Sequence, residues 1–163
     1  MKKIVILIVE LSFPVFIFSQ NNSQSLSKTR LALGASLPEL LHIGLSRDLG
    51  TSTQLGFSIG SFPNFDEPEV TLNAEHRFYF GKPSEFTLRK TWFTRQGFTY
   101  RANDPEYSSI TLSFGKEFGK KAASSTSVEL GLSYYYGNID NTMNRIVPAI
   151  RIQRFFYFKK KNK

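Results

Sequence analysis

The chain has no cysteine, which excludes a disulfide framework and any Cys-based metal site. Histidine is nearly absent, with only His42 and His76, so metal ligation and acid–base chemistry have few carriers. Glycine-rich phosphate loops, metal-ligand spacings and nucleotide motifs are all missing. No cofactor and no bound metal are expected. Beyond the N-terminal segment, no 11-residue window repeats apolar residues at i, i+3, i+4 and i+7, which argues against amphipathic helices. Tryptophan occurs once, but there are 16 Phe and 7 Tyr. Despite these aromatics, mean hydropathy is slightly negative, at -0.24. That combination suits a chain with one apolar and one polar face. At 163 residues it is long enough for one domain.

The N-terminus has the organisation of a secretory signal. Lys2 and Lys3 form a basic start, Ile4 to Phe18 an apolar stretch, and Ser19, Gln20, Asn21 and Asn22 a polar exit. Cleavage is expected after Ser19. The apolar stretch is shorter than the about 20 residues of a spanning helix, and Glu10 and Pro14 interrupt it. The expected organisation is a signal peptide over 1–19, a short segment over 20–27, a barrel over 28–158 and a basic tail over 159–163. Removing 1–19 takes away Lys2, Lys3 and Glu10, which lowers the formal charge from +8 to +7. Lys159, Lys160, Lys161 and Lys163 carry four of those charges, a pattern suited to solvation or to anionic surfaces. No nucleic-acid partner is expected for an exported chain.

What repeats in the rest is alternation with period two, the pattern of half-buried strands. Eight segments carry it. The first, Lys28 to Leu37, sets Leu31, Leu33, Ala35 and Leu37 against Arg30, Ala32, Gly34 and Ser36. The second, Leu40 to Arg47, has Leu41, Ile43 and Leu45 opposite His42, Gly44 and Ser46. The third, Thr53 to Phe62, alternates Leu55, Phe57 and Ile59 with Gly56, Ser58 and Gly60. The fourth, Val70 to Phe80, sets Val70, Leu72, Ala74, Phe78 and Phe80 against Thr71, Asn73, Glu75, Arg77 and Tyr79, with His76 on the apolar side. The fifth, Phe86 to Tyr100, is irregular: Phe86, Leu88 and Trp92 share a face with Lys90, while Arg89, Thr91, Phe93 and Arg95 share the other. A bulge within it would repair the mismatch. The sixth, Ser108 to Phe118, sets Ile110, Leu112 and Phe114 against Thr111, Ser113, Gly115 and Glu117. The seventh, Thr126 to Tyr136, sets Val128, Leu130, Leu132 and Tyr134 against Glu129, Gly131, Ser133 and Tyr135. The eighth, Ile146 to Phe158, has Ile150, Ile152, Phe156 and Phe158 opposite Arg151, Gln153, Phe155 and Tyr157.

The connections alternate in kind. Asp48-Leu49-Gly50-Thr51, Gly81-Lys82-Pro83-Ser84 and Gly119-Lys120-Lys121-Ala122 read as short turns. The stretches Pro63–Glu69, Arg101–Glu106 and Gly137–Arg145 are longer and hold Asp66, Glu67, Glu69, Asp104, Glu106 and Asp140. Long loops on one rim and short turns on the other characterise outer-membrane barrels, although Leu37-Pro38-Glu39 on the long-loop side is tight. The acidic loops suit hard divalent cations or a partner surface; the plainer reading is a solvated rim.

The expected fold is therefore all-β: a closed, antiparallel, eight-stranded, up-and-down transmembrane β-barrel. Lipid would meet Leu31, Leu33, Leu41, Ile43, Leu55, Phe57, Leu72, Leu88, Trp92, Leu112, Phe114, Leu130, Leu132, Ile150 and Ile152. Phe80, Phe86, Phe118 and Phe158 at one end, and Tyr100, Tyr134 and Tyr136 at the other, would form aromatic girdles at the two water interfaces. In the competing arrangement, a soluble lipocalin-like ligand-binding barrel, the large groups would point inward around a cavity. The polar face, rich in Gly and Ser, fits the crowded interior of eight strands better than a solvated surface. Glu75, Arg77, Arg89, Arg95, Glu117, Glu129 and Arg151 would then form an ion-pair network in the lumen, because charges cut off from water must pair. A charged constriction serving as a narrow, porin-like channel for small solutes is the alternative.

The signal, the eight alternating strands and the final Phe156-x-Phe158 resemble small outer-membrane β-barrel proteins of the outer-membrane-protein-A and -X type. The Ser19-Gln20 junction and the turn Arg47-Asp48-Leu49-Gly50 resemble members from Bacteroidetes-like bacteria. The likeness covers about residues 26–158 and is architectural. It implies a Gram-negative cell outer membrane as the location, and outer-membrane lipid and the barrel-insertion machinery as partners, with Phe156 and Phe158 as the insertion signal. A surface partner of unknown identity is a further expectation. Some barrels of this size modify lipid. The deacylase type resembles a His-x-Ser pair, which is absent after both His42 and His76. The acyltransferase type would need His42 with Ser36 and Asp66. No enzyme is expected; the role expected is structural or surface-interacting.

Overall fold

The computed structural model describes residues 29–37, 41–62, 69–83, 90–101, 107–121, 124–137 and 145–158. Eight strands account for nearly all of them: β1 (Thr29–Leu37), β2 (Leu41–Asp48), β3 (Thr53–Phe62), β4 (Glu69–Pro83), β5 (Lys90–Arg101), β6 (Tyr107–Lys121), β7 (Ser124–Gly137) and β8 (Arg145–Tyr157). Each pairs antiparallel with its sequence neighbour, and β1 pairs with β8, so the sheet closes. The expected signal peptide, the segment 20–27 and the basic tail lie outside the described residues, as do Phe86, Leu88 and Arg89.

Closure comes with a fixed stagger. Hydrogen-bonded partners lead from Leu37 through Ile150, Leu130, Phe114, Thr94 and Phe78 to Thr53. Continuing the β2–β3 and β1–β2 registers returns the path to β1 ten residues below its start. With about 3.3 Å per residue and about 4.8 Å between strands, that stagger tilts the strands by about 40°. Both chain ends of the barrel, Thr29 and Tyr157, lie at one rim, called here the terminal rim; the other is the distal rim.

Strands β4, β6 and β7 run further at both ends than the alternation suggests, β5 is described from Lys90 rather than the expected Phe86, and two expected turns are corrected. Gly81, Lys82 and Pro83 belong to β4, and Gly119, Lys120 and Lys121 to β6. The connections there are residues 84–89 and 122–123, outside the described residues. The contrast between short and long rims is correspondingly weaker, since 84–89 is as long as 63–68. The bulge expected within the fifth strand lies instead in its partner: the register shifts between Phe80 and Pro83 of β4, opposite Trp92 and Lys90. Gly81 has φ of +85°, a conformation open to glycine and strained for other residues. A second shift falls between Gly119 and Lys121. A third correction is small: β8 ends at Tyr157, leaving Phe158 just beyond the ladder.

The distribution of side chains is inside-out. Among the described residues, the buried apolar side chains are only Ala32, Tyr79, Phe93, Ala149, Phe155 and Tyr157, while arginines, glutamates, serines and threonines fill the interior. Leu41, Phe57, Leu130 and Ile146 are each more than 60% exposed, and large apolar groups face outward on all eight strands. The arrangement with large groups enclosed is therefore absent: Phe57, Leu112 and Leu130 point outward and are exposed, Leu55 points outward and is half-buried, and Glu75 and Arg77 are buried inside.

Small residues let the walls approach. At Gly131 an added Cβ would lie 2.2 Å from the Leu112 carbonyl oxygen and 2.5 Å from the Ser113 Cβ. Gly131→Val should therefore destabilise the barrel by about 1–3 kcal/mol, the usual cost of overpacking. Urea unfolding of the purified protein measures this, and an unchanged midpoint would contradict the tight β6–β7 contact.

Candidate functional site in the barrel interior

The interior is built in tiers. Nearest the terminal rim, Arg30 of β1 is fully buried and donates to Glu117 Oε1 at 2.8 Å, to the Tyr157 hydroxyl at 3.1 Å and to the Tyr79 hydroxyl at 3.2 Å. Asp48 Oδ1 lies 3.6 Å from Arg30 Nη2, the nitrogen that also donates to Tyr79. Glu117 also accepts from Tyr79 at 2.8 Å, from Ser125 at 2.5 Å and from Tyr157 at 3.2 Å. A carboxylate with this many donors is well compensated for the water it has lost.

The middle tier holds Arg77, Arg95 and Arg151 around Glu75 and Glu129. Arg151 Nη1 lies 2.6 Å from Glu75 Oε2, Arg77 Nε 3.2 Å from Glu75 Oε1, and Arg95 Nε 2.8 Å from Glu129 Oε1. Arg77 also donates to Gln153, and Ser113 donates to Glu129 at 3.1 Å. The two tiers meet at the aromatics. The Arg30 guanidinium stacks 4.2 Å from the Phe155 ring centroid, and that of Arg77 5.0 Å from the same ring and 4.7 Å from Phe93. Phe155 and Phe93, both fully buried, thus offer ring faces to cations that would otherwise need more carboxylates.

Toward the distal rim neutral side chains predominate, although Arg101 of β5, in register with the buried Thr71, shares the inward face. Asn73 donates to Thr99 at 2.8 Å, and Thr111 and Ser133 share a hydrogen bond of 2.7 Å. The space left beside Asn73, Arg95, Thr111, Glu129 and Ser133 is about 10 Å³, close to that of one water molecule. Within these two charged tiers, four guanidiniums (Arg30, Arg77, Arg95, Arg151) face four carboxylates (Asp48, Glu75, Glu117, Glu129). Their charges balance.

Of the expected network, Glu75, Arg77, Arg95, Glu129 and Arg151 meet in the middle tier, and Glu117 sits one tier away with Arg30. Arg89 lies outside the described residues. Arg30, Asp48, Tyr79, Gln153 and Tyr157 were not among the expected partners. Arg30, Tyr79, Gln153 and Tyr157 do fall on the polar side of the alternation, the one signal that could have found them. His42 is buried, and its Nε2 accepts from Arg151 Nε at 3.0 Å, so that nitrogen's lone pair is engaged. Asp66 lies outside the described residues. His76 faces outward, as the alternation implies, and pairs across β4–β5 with Gln96, with which it is hydrogen bonded.

On the outer face, Leu33, Leu41, Ile43, Phe57, Leu72, Trp92, Leu112, Phe114, Leu130, Leu132, Ile150 and Ile152 are exposed, and Leu31 and Leu55 are half-buried. Phe80, Phe118 and Phe156 fall near the terminal rim, with Phe158 just past it; Tyr100, Tyr134 and Tyr136 fall near the distal rim. Phe80 and Trp92 both pack against Phe114, at centroid distances of 5.8 and 5.1 Å, and Tyr134 stacks on Tyr136 at 6.2 Å.

Fold and interior together define a closed eight-stranded antiparallel barrel with an apolar outside and a filled inside whose buried charges are paired. No protein-family model, curated protein or solved structure matches the chain.

The paired interior predicts a specific asymmetry. Arg30→Met leaves Glu117 charged and buried, which should cost about 3–5 kcal/mol. Arg30→Met combined with Glu117→Gln removes both charges and should recover a substantial part of that loss. Urea unfolding of the three proteins measures the coupling; equal losses in the single and double variants would contradict it.

Proposed function

We propose that the chain is a transmembrane β-barrel of a bacterial cell outer membrane, with a structural or surface-interaction role and no enzymatic activity. The observation that carries this reading is the apolar outer face on all eight strands. Soluble monomers rarely expose apolar patches beyond a few hundred Å², whereas hydrocarbon requires such a surface. On β4 the outward series from Val70 to Phe80 spans ten residues, which at 3.3 Å each and a tilt of about 40° rises about 25 Å, the height of a lipid-facing band. Closure leaves no unpaired strand edge for the bilayer to strand, and the aromatics near the two rims suit its interfaces. The outward His76–Gln96 pair satisfies part of its polarity internally.

In this reading residues 1–19 export the chain, and Phe156 and Phe158 serve the insertion machinery as its signal. The filled interior supports a plug over a channel, and the engagement of His42 with Arg151 supports a structural histidine over a catalytic one.

Two measurements test the proposal. The protein should fractionate with outer membranes and migrate differently on gels before and after boiling; recovery in the aqueous fraction without detergent would overturn it. In planar bilayers the purified barrel should give no large steady conductance steps, and such steps would overturn the plug.

A further inference from the structure

The outer face is not electrically uniform. Arg47, Lys116 and Arg154 point outward, each in the part of its strand nearer the terminal rim. Among the described side chains no Asp or Glu points outward, and no carboxylate lies in ion-pair reach of Lys116 or Arg154. Both cations are held against the aromatics of that rim. Lys116 Nζ lies 4.9 Å from the Trp92 ring and 5.3 Å from that of Phe118, and the Arg154 guanidinium lies 5.4 Å from Phe156.

Register brings the two together. Phe118 pairs with Thr126 and Thr126 with Arg154, while Lys116 pairs with Val128. Lys116 and Arg154 therefore stand on either side of β7, two strand spacings across and two residues along, or about 12 Å apart, with the Thr126 side chain on the same face between their strands. Toward the distal rim the same three strands present Phe114, Val128, Leu130, Ile150 and Ile152, all exposed. A pair of cations and a hydroxyl at the edge of an apolar wall is complementary to one kind of molecule: an anionic head with apolar tails.

We propose that Lys116, Thr126 and Arg154 form an outward site for the phosphate of an anionic lipid headgroup, with the acyl chains lying along β6–β8. The site rests on the transmembrane reading and adds to it a lipid class and a rim. The long stems of Lys116 and Arg154 cover apolar surface while their charged ends reach the interface, and each such cation near an anionic lipid surface favours association by about fivefold.

Trp92, the single tryptophan of the chain and in contact with Lys116, is a built-in reporter. The full barrel is reconstituted into phosphatidylcholine vesicles containing a minority of lipid brominated in its acyl chains, either phosphatidylglycerol or phosphatidylcholine. Brominated phosphatidylglycerol should quench Trp92 with a preference of at least about fivefold, the effect of a single cation, over brominated phosphatidylcholine. K116Q/R154Q should bring the ratio close to one, K116Q alone should lower it, and K116R/R154K and removal of residues 159–163 should preserve it. Equal quenching by the two lipids in the unaltered protein, an unchanged ratio in K116Q/R154Q, or collapse of the ratio on tail removal alone would each overturn the headgroup site while leaving the transmembrane reading intact. Absence of quenching by either lipid would mean that Trp92 is outside the bilayer, and both readings would fall.

Discussion

The width of the interior governs this molecule. Eight strands staggered by ten residues enclose a space that side chains fill, and water cannot solvate charges there. Every ionised group pointing inward must then find its compensation among other inward groups. The interior meets that constraint with four guanidiniums and four carboxylates, with tyrosine and serine hydroxyls on Glu117 and phenylalanine rings beside Arg30 and Arg77. Small residues make room for the long side chains beside them: an added Cβ would strike the Arg95 guanidinium at Gly97 and the Phe93 ring at Gly115.

The same constraint explains the outer face. With the interior given to polar groups, period-two alternation sends Leu, Ile and Phe outward on every strand. A soluble protein would use that alternation in the opposite sense, with the greasy groups within. The hydrophobic effect therefore cannot hold this barrel together from inside; the closed hydrogen-bonded ladder and the paired interior charges must do so.

Much of this was legible in the residue order. Alternation alone assigned Leu112 and Ser113, or Leu130 and Gly131, to opposite faces, because a strand has only two faces and the residue types were cleanly sorted. Strand ends were less legible. Gly81 and Gly119 looked like turn residues, yet both lie inside strands beside register shifts, since a bulge uses the same backbone freedom that a turn does. The partners of the charged residues were least legible. Arg30 and Glu117 are 87 positions apart, and only closure of the sheet sets them face to face. The polar face revealed that such charges need partners but not which ones; Tyr79 and Phe155 fell on that face by alternation, yet nothing in the residue order marked them as neighbours of Arg30.

The central claim is that the greasy face meets hydrocarbon and the polar face meets itself. Because the chain has no native cysteine, single cysteines can report it directly. Leu112→Cys and Leu130→Cys on one face, and Ser113→Cys and Ser133→Cys on the other, would each be spin-labelled in the membrane-reconstituted protein. Outward labels should relax strongly with molecular oxygen and weakly with a water-soluble nickel chelate, while inward labels should be shielded from both. Outward labels more accessible to the chelate than to oxygen would contradict the account.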